Sequence, residues 1–209
     1  KVKGLAIGGV DYITKPFELQ TVKSVVEKIL KKQRRIIKKD QLFENLQHIK
    51  LTYKFTSAEL DPGILARNIC EYIQKMQFSS AEEITNFELV FTEILVNAID
   101  HGNLELSSVE KDNDNLDASN YEQLKTERLN DPAFGGRRLI INFEANDELF
   151  SFTVADEGGG YDWKKYVDHS HKIKTQLDEV YGRGFKIIQH YMDEIHFNDK
   201  GNIITVIKN

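Results

Sequence analysis

The chain has 209 residues, 40% hydrophobic and 29% charged, the proportions of a folded protein, which exclude collagen-like and wholly disordered classes. Its 28 Lys and Arg against 33 Asp and Glu leave a net charge of −5, which weighs against a general nucleic-acid binder. No apolar run approaches the ~20 residues needed to cross a bilayer, and the single Cys70 cannot form an intramolecular disulfide, so a cytoplasmic, non-membrane setting is expected.

Such a length suits one full-sized domain with an appendage, and a start at Lys1 without methionine suggests a fragment. Residues 1–17 read as a helix end, then Gly8-Gly9, then a strand over Val10–Thr14 that stops at Lys15-Pro16. Residues 18–48 read as a linker helix free of Gly and Pro. Its apolar positions Val22, Val25, Val26, Ile29, Leu30, Ile36 and Ile37 recur at helical spacing. Between Lys28 and Lys39 it is strongly basic, a solvated face, with coiled-coil pairing or docking on an acidic partner as alternatives.

From 49 to 209 the pattern is mixed. Leu51, Tyr53 and Phe55 alternate as in a half-buried strand. Asp61-Pro62 starts a helix, with Asp as N-cap and Pro in the first turn, and Ser79-Ser80 with Glu82-Glu83 reads as a capping box for the next. That second helix buries Ile84, Phe87, Phe91, Ile94, Leu95 and Ala98, and Cys70 reads as a core thiol of the first. Residues 103–136 form a polar excursion, part surface loop and part short helix over Asn120–Leu129. Leu139/Ile141/Phe143 and Phe150/Phe152/Val154 mark two strands turning at Asn146-Asp147. Tyr161 to Tyr181 is weakly patterned, as a lid would be. Phe185–Met192 reads as a helix, and strands at Glu194–Asn198 and Asn202–Lys208 close the chain.

Three islands carry chemistry. Glu93 and Asn97 are four apart on one helical face, with Asp100 and His101 on the next turn, so these polar groups border a cleft. An amide oxygen is a hard ligand for Mg²⁺, and a carboxylate one turn away can orient or deprotonate a nucleophile. Asp156-Glu157-Gly158-Gly159-Gly160 follows a strand. There an aspartate can accept a hydrogen bond from an exocyclic amine, and glycines allow close backbone approach. Gly182-Arg183-Gly184-Phe185 opens a helix whose free N–H groups suit phosphate oxygens. Taken singly, each island also fits a plain helix surface or a plain turn.

Together and in this order, the islands resemble the N, G1 and G2 boxes of the Bergerat-type, histidine-kinase-like ATPases. Asn97-Ala98-Ile99-Asp100-His101-Gly102-Asn103, the Asp156–Trp163 run and Met192-Asp193-Glu194-Ile195 are similar to the anti-sigma-factor serine kinases. The resemblance covers residues 49–209 and implies an α+β, two-layer α/β sandwich that uses ATP and Mg²⁺. Residue by residue, it implies Asn97 as Mg²⁺ ligand, Glu93 as general base and Asp156 as reader of adenine, with Gly158 and Gly160 beside it. Gly182 and Gly184 would lie near the phosphates with Arg183 in reach, and Thr205 would support the aspartate. Gly159 stands where proline is frequent in that family, Tyr161 where phenylalanine is and Phe185 where leucine is; no ligand position is altered.

Residues 8–17 are similar to the last strand of a response-regulator receiver, Lys15 matching the lysine that contacts its acyl phosphate. The phosphate-accepting aspartate would lie upstream of Lys1, so residues 1–17 read as a truncated receiver remnant and Lys15 is assigned no activity. His48 lacks the acidic neighbour of a phospho-accepting box. His169 and His171 lack a ligand set, and Trp163 reads as packing at the lid base. The resemblance implies a serine/threonine kinase acting on a STAS-domain anti-sigma antagonist in two-component signalling, with a sigma factor as a further partner and a homodimer as one allowed assembly. The alternatives are nucleotide-dependent sequestration without transfer and a histidine-kinase catalytic domain.

Overall fold

The computed structural model of the protein describes residues 16, 18–106, 118–160 and 178–209, without the side chains of residues 35–40, 44, 118–119 and 178–183. Lys15, the Val10–Thr14 strand, Trp163, His169, His171 and most of the lid expected over Tyr161–Tyr181 lie outside the described residues. The chain divides at Leu46. The first unit contributes helix α1, Leu19–Glu44, on which Leu19, Val26, Leu30 and Leu42 are exposed.

The second unit, Gln47–Asn209, is a helix layer on one face of a five-stranded sheet, the two-layer α+β arrangement expected from the sequence. Its strands are β1 (His48–Thr56), β2 (Arg138–Asn146), β3 (Phe150–Ala155), β4 (Glu194–Phe197) and β5 (Ile203–Lys208). Their order is β1-β2-β3-β5-β4, and every neighbouring pair is antiparallel. The Phe143↔Phe152 register aligns the alternating apolar residues of β2 and β3 on one face. Leu139, Ile141, Phe143, Phe150, Phe152, Val154 and Val206 are buried there. The β2–β3 connection turns on Asn146, whose side-chain oxygen accepts from the Glu148 and Leu149 amides at 2.8 Å.

Helices α2 (Pro62–Lys75) and α3 (Ala81–Asn97) start where the capping residues lie. Asp61 Oδ1 accepts from the Ile64 amide at 2.9 Å with Pro62 in the first turn. Ser80 and Glu83 close a reciprocal capping box, Glu83 Oε2 accepting from the Ser80 amide at 2.9 Å. Each such cap stabilises its helix by about 1 kcal/mol. Phe87, Val90, Phe91, Ile94 and Leu95 face α3 toward the sheet, where the Phe150 ring meets Phe87 and Phe91 edge-on at 5.0 and 5.8 Å. Cys70 is a core residue of α2, and burial pushes its thiol up to about 12, which keeps it inert.

Two local expectations need correction, and a third, the helix over Asn120–Leu129, is met and extended. Beyond Asn97 the chain does not continue as α-helix: Ala98–Asn103 is a π-helical turn, with the Leu104 amide reaching back to the Ile99 carbonyl at 2.8 Å. The excursion's helix is longer than expected and is structural. Helix α4, Ala118–Asn130, is tied to that turn by an ion pair in which Lys125 Nζ lies 2.8 Å from Asp100 Oδ1. Last, helix α5 runs over Asp178–Tyr191, so it begins well before Phe185 and takes up the end of the expected lid. His48 sits in β1, its Nε2 3.0 Å from Glu144 Oε1.

Candidate functional site

Helix α3 fixes the first part of the site. Its apolar stripe is committed to the sheet, which leaves Glu93 and Asn97 half-buried on another face, one turn apart. Among the described residues neither side chain has a hydrogen-bond or ion-pair partner, so both are free to meet a ligand. Helix α5 packs against this face through Gly184. A Cβ built there would collide with Glu93 Oε2 and lie 3.1 Å from Glu93 Cδ, so only glycine lets the carboxylate approach the α5 backbone this closely.

The π-helical turn brings in the second part. Gly102 lies beneath the Asp156 carboxyl, and an added Cβ would stand 2.6 Å from its Cγ and 2.8 Å from both oxygens. Asp156 itself leaves the end of β3 and is fixed to the start of β5. Its amide donates to the Asn202 carbonyl at 3.0 Å, and Asn202 Nδ2 donates to its carbonyl at 2.6 Å. The carboxyl turns back on its own loop, Oδ1 accepting from the Gly158 amide at 2.8 Å. Gly158 packs on the Gly102 carbonyl. Gly160, at φ +81°, packs on the Lys200 carbonyl at the tip of the β4–β5 hairpin, and Lys200 Nζ donates to the Gly158 carbonyl at 2.8 Å.

Burial pushes the Asp156 carboxyl up to about 6, against the lowering pull of the Gly158 amide and of the Lys200 and Arg137 charges. A carboxyl raised on folding binds its proton more tightly in the folded chain. Its stabilising contribution is therefore complete below the ordinary carboxylate value of 3.8 and is lost as pH rises through about 6. Above that pH the ionised group is a local cost to the folded chain. Asp156→Asn is accordingly expected to stabilise the ligand-free chain at pH 7.5 by about 1–2 kcal/mol, discounted because the carboxyl is only partly buried. Thermal melts at pH 7.5 and pH 4 check this: the gain should be present at the first and absent at the second.

Other sequence-derived residues are placed differently. Asp100 is not on the cleft rim; it is 3% exposed, with Tyr121 Oη donating to Oδ2 at 3.2 Å and Lys125 completing its pairing. His101 turns to the Leu106 carbonyl, its Nδ1 2.6 Å away. Thr205 pairs across the sheet with Thr153, their hydroxyl oxygens 2.9 Å apart, on the face opposite Val154 and Val206. The structure does not bring it to the Asp156 carboxyl, which faces Gly102 on the helix side. Gly182 is the fifth residue of α5, beyond the four whose N–H groups a helix leaves free. Gly182-Arg183-Gly184 therefore does not open a helix, and the Arg183 side chain lies outside the described set.

The roles of several residues that shape the site escaped the sequence reading. Asn202 and Lys200 hold the Asp156 loop, and Asn103 joins it to the π-helical turn. Arg137 Nη1 donates to the Asn103 carbonyl at 2.8 Å, and Arg128 donates to the Leu104 carbonyl, closing the segment beneath α4. Among the described residues, no group of three or more His, Cys, Asp or Glu side chains is placed to hold a metal ion, and no helix is long and apolar enough to cross a membrane.

Residues 58–208, well over half of the chain, match the family model of the histidine kinase-like ATPase domain. No curated protein matches the chain.

Proposed function

The chain belongs to the histidine kinase-like ATPase family, whose domains bind ATP, and from that premise we propose that it is a serine/threonine protein kinase of the anti-sigma type. It transfers the γ-phosphoryl group of ATP to a STAS-domain anti-sigma antagonist. One observation carries the reading: a carboxylate and an amide without partners among the described residues, Glu93 and Asn97, share a helix face closed by Gly184 of α5.

Asp156 supplies the adenine contact, its carboxylate accepting from the exocyclic amine, with Gly158 and Gly160 shaping the loop beside it. Asn97 fits Mg²⁺ as a hard oxygen donor. Because the described residues offer no acidic cluster, phosphate oxygens and water would complete the coordination. The bound ion neutralises charge on the triphosphate. Glu93 accepts the proton of the acceptor Ser or Thr as its oxygen bonds to the γ-phosphorus and the bond to ADP breaks. Gly182, Arg183 and Gly184 flank the phosphates from the first turns of α5. The receiver-like residues 1–17 support control of the kinase by receiver phosphorylation.

The test is transfer itself. Incubation of the chain with γ-labelled ATP, Mg²⁺ and a cognate STAS protein is expected to give acid-stable label on a Ser or Thr of that protein. Acid-labile label, or nucleotide-dependent capture of the partner without label, overturns the assignment.

A further inference from the structure

Asn103 ends the π-helical turn and is 0% exposed, a buried amide whose hydrogen bonds go to three separate parts of the fold. Its Oδ1 accepts from the Glu157 amide at 2.8 Å. Its Nδ2 donates to Ser57 Oγ, just past β1, at 2.9 Å and to the Arg138 carbonyl, at the start of β2, at 3.3 Å. Sequence separations of 46, 35 and 54 residues are closed by this one side chain.

The bond to Glu157 matters for what it holds. The peptide group between Asp156 and Glu157 contributes the Asp156 carbonyl and the Glu157 N–H. Asn202 Nδ2 holds that carbonyl at 2.6 Å, and Asn103 Oδ1 holds that N–H. Two asparagines from opposite sides of the site therefore clamp one peptide plane. With the Asp156 amide already committed to the Asn202 carbonyl, the backbone on both sides of the Asp156 Cα is fixed, and so is the direction of its Cβ. Without Asn103, the plane keeps only its carbonyl anchor and can rotate, which displaces the Gly158 amide that holds Asp156 Oδ1 and lets the carboxylate turn off line.

We propose that Asn103 is a positioning residue for base recognition: it clamps the peptide group after Asp156 so that the carboxylate faces the exocyclic amine of a bound adenine. The proposal rests on the adenine role of Asp156 and adds to it a residue that touches no part of the nucleotide. A merely structural asparagine would, when removed, lower stability and weaken all nucleotides alike. A positioning residue instead lowers the preference for one base over another.

Calorimetric titration of the 209-residue chain with ATP and with inosine triphosphate, both with Mg²⁺, separates these cases, because inosine carries an oxygen where adenine carries the amine. Wild type is expected to prefer ATP. Asn103→Ala is expected to weaken ATP about tenfold while leaving inosine triphosphate within about twofold. A wild type without preference for ATP overturns the adenine role of Asp156 and this proposal with it. A wild-type preference that Asn103→Ala leaves intact, or an equal loss for both nucleotides, overturns the proposal alone. Should Asn103→Ala not fold, Ser57→Ala removes only the hydroxyl at the other end of the amide, and about a threefold fall in the same ratio is expected. An unchanged ratio there overturns the positioning role.

Discussion

Lys125→Met is expected to destabilise the domain by about 3 kcal/mol, lowering its melting temperature by roughly 6–12 °C. The substitution keeps the length of the side chain but leaves the Asp100 carboxylate, 3% exposed, without its cationic partner. Tyr121 Oη still donates to Oδ2, but one neutral hydrogen bond does not compensate a buried charge. Asp100→Asn in the same background should recover most of the loss, because it removes the charge left without its cation. The double-mutant cycle then isolates the pair from the packing of α4. Chemical denaturation of the four proteins checks this. A change below about 0.5 kcal/mol in Lys125→Met, the range of ordinary surface substitutions, would return α4 to the solvated excursion that its composition suggests.

Glu93→Gln is expected to slow phosphoryl transfer by about 10²- to 10⁴-fold, with ATP affinity changed by less than about threefold. Glutamine has the size of glutamate and keeps the contact with Gly184, so the α3–α5 packing is preserved while the proton acceptor is lost. The effect should fall on kcat and not on KM for ATP. Single-turnover transfer to the STAS protein, measured beside equilibrium ATP binding, tests that split. Equal losses in both would make Glu93 a packing residue, and undiminished transfer would remove it from the chemistry.

What could be read from the sequence was local. The alternation of Leu139, Ile141 and Phe143 with Phe150, Phe152 and Val154 fixed two strands and their shared face, since period two and a core on one side leave one register. Asp61-Pro62 and the Ser80–Glu83 pair marked helix starts because their hydrogen bonds span three residues. The start of α5 was not legible, because Asp178–Tyr181 carry no apolar period and two glycines within the next three residues read as breakers. Their place inside the helix follows from the approach of Glu93 to Gly184, a contact between elements far apart in the chain. Asp100 was misread for the same reason: its cation stands 25 residues away, across a polar stretch, and no periodicity announces it. Of the candidate site, the residue types and their order were visible. The clamping roles of Asn103, Asn202 and Lys200 were not.

The π-helical turn makes the count of residues between Asn97 and Leu104 a constraint in its own right. A π turn holds one residue more than the α winding it replaces, so one residue fewer would restore ordinary winding and shift the remaining residues of the turn around the helix axis. Gly102 would leave its seat under the carboxyl, and Asp100 would turn from its lysine in the same motion. The short segment is therefore a spacer of set length: Asp100, Gly102 and Asn103 keep their separate seats only while the number of residues in the turn holds.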